Sequence, residues 1–123
     1  MGDTKSNYSN DAKLKIAESK FNKDVFERYK RAKDEEAQFQ HIWKSNGLID
    51  LNKDLAQFGQ IIRIKYEGSR KKVYITEKYR IESDLFSGGI RFYDKTLKRY
   101  VKLDKTPGNN DQTHFKIKKE EEM

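Results

Sequence analysis

The chain has 123 residues, which is the length of one domain, and it combines 34% apolar with 38% charged residues and a net charge of +7. Because it contains no cysteine, disulfides, thiolate metal sites and a cysteine nucleophile are excluded. No apolar run approaches the ~20 residues of a membrane-spanning helix, and the polar first ten residues lack the apolar segment of a signal peptide.

Positive charge is concentrated in the second half of the chain. Residues 1–60 carry 11 Lys and Arg against 10 Asp and Glu, whereas residues 61–119 carry 16 against 7. Such asymmetry favours an anionic partner, and nucleic acid is the first expectation. A lysine-rich surface that serves only solubility is the alternative.

The first part of the chain predicts helices. A polar leader, 1–10, is expected to be frayed or disordered. Apolar residues then recur at three- and four-residue steps, which is typical of one face of a helix, so we expect a helix or a helical pair over about 11–45. Asn46 and Gly47 both tolerate a left-handed conformation and predict its end. A short second helix is expected over about 51–57.

From Ile61 onward the apolar residues alternate with polar ones, which is the period of a β-strand. Turn sequences follow Glu67, Ser87 and Asp94, and the loop 106–110 contains the only proline of the chain. These breaks separate about five short strands that hairpin turns would join.

Helices followed by a run of strands predict an α+β fold, with N-terminal helices packed on one face of a twisted antiparallel sheet of about five strands. We expect a single domain over 11–119, helical over 11–58 and a sheet over 61–119, followed by an acidic tail, 120–123. The apolar alternate residues of the strands are expected to meet the helical stripe. The polar residues that alternate with them along each strand would then share the opposite, exposed face of the sheet.

The last predicted strand has two chemically different faces. Phe115 and Ile117 point one way and are expected to close the core, while His114, Lys116 and Lys118 point the other way. An imidazole titrates near neutral pH, and two fixed cations attract a phosphate. This face is therefore suited to moving a proton beside a phosphate group.

RNA is a polymer that can be cut without a metal, because its 2′-hydroxyl is an internal nucleophile. The reaction needs a base, an acid, and cations for the charge that builds up on the phosphate. The predicted catalytic residues are His114, Tyr93, Thr113 and Arg91. The predicted substrate-binding residues are Arg80, Tyr100, Lys102, Lys116 and Lys118. The two histidines lie far apart, with no metal-ligand spacing, so no metal or other cofactor is expected.

The residues leave several roles open. Glu82 is an alternative base, and Tyr100 is an alternative to Tyr93 as the acid–base partner of His114. His41, near the end of the predicted helix, is either a second candidate base or a surface residue that interacts with the helix dipole. His114 itself is either the catalytic group or an ordinary exposed strand residue.

Two stretches carry a resemblance to a known group of proteins. Residues 7–14 read Asn-Tyr-Ser-Asn-Asp-Ala-Lys-Leu, a charged helical segment follows, and the basic strands end in Thr-His-Phe-Lys-Ile at residues 113–117. In size, charge and element order it resembles the C-terminal toxin domains of contact-dependent growth inhibition and other polymorphic toxin systems of bacteria. Within these, its layout is similar to the small ribonucleases of the barnase, colicin and RelE-like group.

The resemblance implies a function and a set of partners. The activity would be cleavage of RNA, with tRNA as the expected substrate, in the cytoplasm of a target bacterium. The domain would be secreted or delivered as part of a larger protein, and a dedicated acidic immunity protein would inhibit it. Some members of the group also need a translation factor of the target cell.

Two functions of other classes compete with this one. The first is a non-catalytic RNA- or DNA-binding module of phage or mobile-element origin, which would use the same basic and aromatic residues. The second is an interaction protein whose basic sheet docks an acidic partner.

Overall fold

The structure, a computed structural model, describes residues 23–119. It begins with one long helix, α1 (Lys23–Asn46), which ends where the Gly47 N–H donates to the carbonyl of Trp43 at 3.1 Å. The predicted end of the helix is therefore confirmed. The leader 1–10, the first part of the predicted helical segment and the acidic tail 120–123 lie outside the described residues. No helix in the described range is long and apolar enough to cross a membrane.

Seven strands follow the helix and form one mixed sheet. They are β1 (Leu48–Ile49), β2 (Arg63–Glu67), β3 (Lys71–Ile75), β4 (Tyr79–Asp84), β5 (Gly89–Asp94), β6 (Arg99–Val101) and β7 (Phe115–Ile117). The order across the sheet is β1-β7-β5-β4-β3-β2, and β6 also pairs with β5. The pairing of β1 with β7 is parallel and all others are antiparallel. The α+β class is confirmed, with two strands more than the predicted number of about five.

The segment between β1 and β2 closes the main hydrophobic core. Its 3₁₀ helix (Leu55–Phe58) replaces the predicted second α-helix and buries Phe58 against the sheet. The Phe58 ring stacks on Phe92 at a centroid distance of 4.1 Å and meets Tyr79 edge-on at 5.0 Å. Strand pairing places Ile81 on the same face as Phe92, and this face of the sheet carries the hydrophobic core.

The helix covers the other face of the sheet, so the predicted packing of α1 on the apolar face is wrong. Trp43 of α1 stacks on His114 at 6.0 Å, and Glu36 lies next to Lys116. We call the side of the sheet that carries Arg91, His114 and Lys116 the cleft face. The physical reason is that the loop after β1 already fills the apolar face, so the helix has only the cleft face to cover.

The predicted exposure of Lys116 is also wrong. Its side chain is only 2% exposed, and its Nζ lies 3.4 Å from Oε2 of Glu36. Lys33 approaches the second oxygen of the same carboxylate at 2.7 Å. A buried ammonium group needs a counterion, and α1 supplies it. Lys116 therefore attaches the helix to the sheet instead of facing solvent.

The pairing register corrects the predicted faces of β2 and β3. Ile64 pairs with Tyr74 and shares its face, whereas Val73 pairs with Lys65 and points to the opposite side. Ile64 was expected in the core, yet it is 48% exposed. The reason is that β2 forms the edge of the sheet, beyond the part that the loop covers.

Replacement of Phe58 tests the closure of the core. We expect Phe58→Ala to lower the free energy of unfolding by about 3–5 kcal/mol, because a buried aromatic ring leaves a cavity between Phe92 and Tyr79. Urea unfolding measures the change. The control is Leu97→Ala at a turn position that is 48% exposed, where we expect less than about 0.5 kcal/mol. A loss below about 1 kcal/mol for Phe58→Ala would contradict this account of the core.

Candidate active site in the helix–sheet cleft

A cleft of about 320 Å³ opens between α1 and the cleft face. This volume lies at the lower end of the range for small-molecule sites, ~300–1,000 Å³. Its helix wall is mainly apolar and its sheet wall is mainly polar. The helix residues are Glu35, Phe39, Ile42 and Trp43. The titratable residues on the sheet side are Lys71, Glu82, Asp84, Arg91, Tyr100, Asp111 and His114.

His114 is held at one end of the cleft by its neighbours. Its Nδ1 lies 2.8 Å from the carbonyl oxygen of Asn110, and Trp43 stacks on its ring. Because a carbonyl can only accept, Nδ1 carries a proton, and the lone pair of the neutral ring resides on Nε2. Asn46, the last residue of α1, donates from Nδ2 to the carbonyl oxygens of His114 and Asp111, which fixes the backbone around the ring.

The environment of His114 favours the neutral imidazole. Burial lowers the pKa of His114 below its usual value, and the positive charge of Arg91 lowers it further. The hydrogen bond to Asn110 acts in the opposite direction but does not outweigh burial. At neutral pH the ring is therefore mostly unprotonated and has a basic Nε2.

Arg91 supplies a partly buried cation to the cleft. Its guanidinium lies over the ring of Tyr100 at 3.5 Å, and Nη2 donates to Oγ1 of Thr113 at 3.2 Å. Burial lowers the pKa of Arg91, and its buried Nε has no hydrogen-bond partner among residues 23–119. A buried donor without an acceptor costs about 1–3 kcal/mol. An anion in the cleft would provide the missing acceptor.

Tyr100 and Glu82 form the far wall of the cleft. The Tyr100 hydroxyl donates to Oε1 of Glu82 at 2.8 Å, and Nε of Arg80 donates to Oε2 at 2.8 Å. Both carboxylate oxygens of Glu82 therefore accept a hydrogen bond. Burial, followed by the contact with Glu82, raises the pKa of Tyr100 to about 12, so the phenol keeps its proton at neutral pH.

The structure brings most of the predicted site residues together, some as residues that line the cleft and others as their direct neighbours. His114, Arg91 and Tyr100 line the cleft directly. Thr113 is fully buried and donates its hydroxyl to Asn109, so it positions Arg91 instead of facing the cleft. Tyr93 packs against Tyr100 with ring centroids 5.1 Å apart, and Arg80 is bound to Glu82 and Glu67. These three residues contact lining residues but do not line the cleft themselves.

The remaining predicted residues do not contribute to the cleft. Lys116 is buried against Glu36, while Lys102 and Lys118 are partly exposed and do not line the cleft. His41 is exposed on α1 and also lies outside the cleft lining. Of the two histidines, both within residues 23–119, His114 lines the cleft and His41 does not.

Sequence reasoning missed the helix wall of the cleft. The helical spacing predicts that Phe39 and Trp43 belong to the apolar stripe that packs against the core, whereas the structure places both in the cleft wall together with Ile42. The three- and four-residue spacing was a correct signal for one helix face, but it does not reveal which side of the sheet that face meets. Asn46 carried no signal beyond that of a helix end.

Among residues 23–119 no group of three or more His, Asp or Glu side chains is arranged to hold a metal ion. No family model, curated protein or solved structure matches the chain. The chemistry of the site is therefore inferred from its own geometry.

The pKa of His114 tests the electrostatics of the cleft. We expect a midpoint below 6.5 in an NMR titration, and a higher midpoint in Arg91→Gln, because that change removes a nearby positive charge. Since the fold favours the neutral ring, the stability that His114 contributes is present above its unfolded pKa and lost as pH falls. An unaltered His114 midpoint in the variant would contradict the assigned coupling.

Proposed function

We propose that this protein is a metal-independent ribonuclease that cleaves single-stranded or looped RNA in the cleft beneath α1. One observation carries the proposal. The side chain with a free basic nitrogen, His114, and the side chain with an unpaired buried donor, Arg91, line the same cleft. A base and a cation beside one another are what transesterification of a phosphodiester requires.

The proposed reaction uses the 2′-hydroxyl of the substrate as nucleophile. His114 Nε2 takes the 2′-proton while the 2′-oxygen forms a bond to phosphorus. The bond from phosphorus to the 5′-oxygen breaks, and the hydroxyl of Tyr100 gives its proton to that oxygen. The products are a 2′,3′-cyclic phosphate and a 5′-hydroxyl end. Return of a proton from His114 to Tyr100 through water restores both groups.

The neighbours of each group support this division of roles. The lowered pKa of His114 suits a base, and the raised pKa of Tyr100, about 12, keeps the acid protonated. Glu82, the alternative base, already accepts hydrogen bonds on both oxygens, so it serves to orient Tyr100. Arg91 faces the charge that develops on the phosphate oxygens.

The shape of the cleft supports an unpaired RNA segment as the substrate. A volume of about 320 Å³ admits one nucleotide more readily than a base-paired duplex. Phe39 and Ile42 on the helix wall offer apolar contact to a base, and aromatic stacking contributes roughly 1–3 kcal/mol per base. The 2′-hydroxyl requirement selects RNA over DNA.

The biological setting is proposed on the resemblance of the sequence alone. The protein would act as a toxin in the cytoplasm of a target bacterium, with an unpaired loop of tRNA as its substrate. An acidic immunity protein fits the net charge of +7. A translation factor of the target cell is a further proposed partner.

Replacement of His114 tests the proposed chemistry. With EDTA present, we expect His114→Ala to lower kcat/KM for cleavage of an unstructured RNA or of total tRNA by about 10²–10⁴-fold. Binding to the same RNA, measured by fluorescence anisotropy, should change little because Arg91 and the helix wall remain. The matched control is His41→Ala, which should cleave normally.

If the protein binds RNA in a salt-dependent manner but cuts none, even with a cell extract added, it is a nucleic-acid-binding module without catalysis.

The pH dependence of cleavage distinguishes the base from the acid. We expect kcat/KM to rise as His114 loses its proton, with a midpoint below 6.5, and to stay level through neutral pH because Tyr100 remains protonated. Initial rates over a pH series measure this profile. A rate that instead falls as pH passes the His114 midpoint would give His114 the role of acid and return Glu82 to the role of base.

A further inference from the structure

The outer strand of the sheet, β2, carries an exposed apolar stripe. Ile62 and Tyr66 are each 65% exposed and Ile64 is 48% exposed. Ile64 and Tyr66 lie on one face of the strand, and Ile62, just before it, continues their alternation. Apolar side chains gathered on one surface in this way mark an interaction site more often than scattered ones do.

The backbone of β2 is also suited to receive another strand. One side of β2 pairs with β3 through five consecutive residue pairs, from Arg63 with Ile75 to Glu67 with Lys71. Its other side has no strand partner among residues 23–119. The strand contains no proline, and the continuous register contains no bulge, so two common features that prevent strand addition are missing.

The charges around β2 indicate the chemistry of the incoming strand. Arg63 and Lys71 have no carboxylate partner within 4 Å in the described part of the chain, and Lys65 has only Glu67 at 3.2 Å. Lys72 lies 5.8 Å from the centre of the Tyr66 ring, on the apolar side of the strand. Cations therefore occupy both sides of this edge.

We propose that β2 is the docking edge for an extended acidic segment of another protein, which adds to the sheet as a further strand. Alternate residues of that segment would be apolar and would contact Ile62, Ile64 and Tyr66. The residues between them would be acidic and would face Arg63 and Lys65. A second copy of this chain is a poorer occupant, because it would bring the same cations to the edge.

The docking edge is separate from the cleft. In the strand order β2 lies at one end of the sheet, whereas β7, which follows His114, lies next to the other end. Lys71 of β3 lines the cleft, but Arg63, Lys65 and the three apolar residues of the stripe do not. A variant that loses peptide docking at β2 is therefore expected to keep RNA cleavage. Each of the two proposals can be contradicted without contradicting the other.

A synthetic peptide tests the proposal directly. We expect a capped seven-residue peptide that alternates glutamate with valine to bind the full-length, ¹⁵N-labelled protein. The largest amide shift changes should occur in Arg63–Glu67, and the affinity should fall with added salt. A peptide that alternates lysine with valine should bind at least about tenfold more weakly, since it places like charges together.

Three variants separate the contributions of the stripe and the charges. Ile64→Asp should weaken the glutamate–valine peptide at least about tenfold. Leu97→Asp, at a position with the same 48% exposure, should leave affinity within about twofold. Arg63→Glu should weaken the glutamate peptide and strengthen the lysine peptide. Because Arg63 is exposed, this variant keeps the test decisive even where Ile64→Asp fails to fold.

Each of three results would overturn the proposal. One is the absence of binding to the glutamate–valine peptide at millimolar concentration. Another is a set of shift changes that maps to the cleft instead of β2. The third is a dimer in sedimentation experiments that Ile64→Asp dissociates, which would assign the edge to a second copy of this chain.

Discussion

The ion pair between Lys116 and Glu36 determines how the molecule is put together. A lysine that is 2% exposed needs a counterion, because an unpaired buried charge costs several kcal/mol. Among residues 23–119, α1 supplies this counterion through Glu36, and the helix accordingly lies over this end of the sheet. Gly88, with φ of 78°, leaves room for the lysine, since a Cβ there would lie 2.7 Å from Nζ. Placement of the helix in turn creates the cleft.

The same placement gives the cleft its chemical character. The helix brings Trp43 onto the ring of His114, and the guanidinium of Arg91 is partly buried over the ring of Tyr100. Partial burial is what lowers the pKa of His114 and raises that of Tyr100. On an open sheet face these groups would titrate at ordinary values, and their charges would be screened. The proposed division into a base, an acid and a cation therefore depends on the covering helix.

Much of this fold follows from local pattern, and the rest depends on distant contacts. The alternation around Phe115 correctly predicted a strand there, although the strand covers only Phe115–Ile117 and the residues before His114, Asp111–Thr113, form a 3₁₀ helix instead. Asn46 with Gly47 predicted the end of the helix. The side on which the helix packs was not predictable, because the loop containing Phe58 competes for the same apolar face. In the sequence, Lys116 looks like any polar residue on the solvent-exposed face of a strand. Its burial becomes understandable only from the contact with Glu36, which is distant in the chain.

The most direct test of the account is a crystal structure with an uncleavable RNA dinucleotide that lacks the attacking 2′-hydroxyl. We predict that the phosphate lies within hydrogen-bonding distance of the Arg91 guanidinium, beneath α1. The sugar carbon that lacks the hydroxyl should face Nε2 of His114, and the 5′-oxygen should face the hydroxyl of Tyr100. A dinucleotide seated outside the cleft, on the uncovered surface near Lys102, would contradict the central claim.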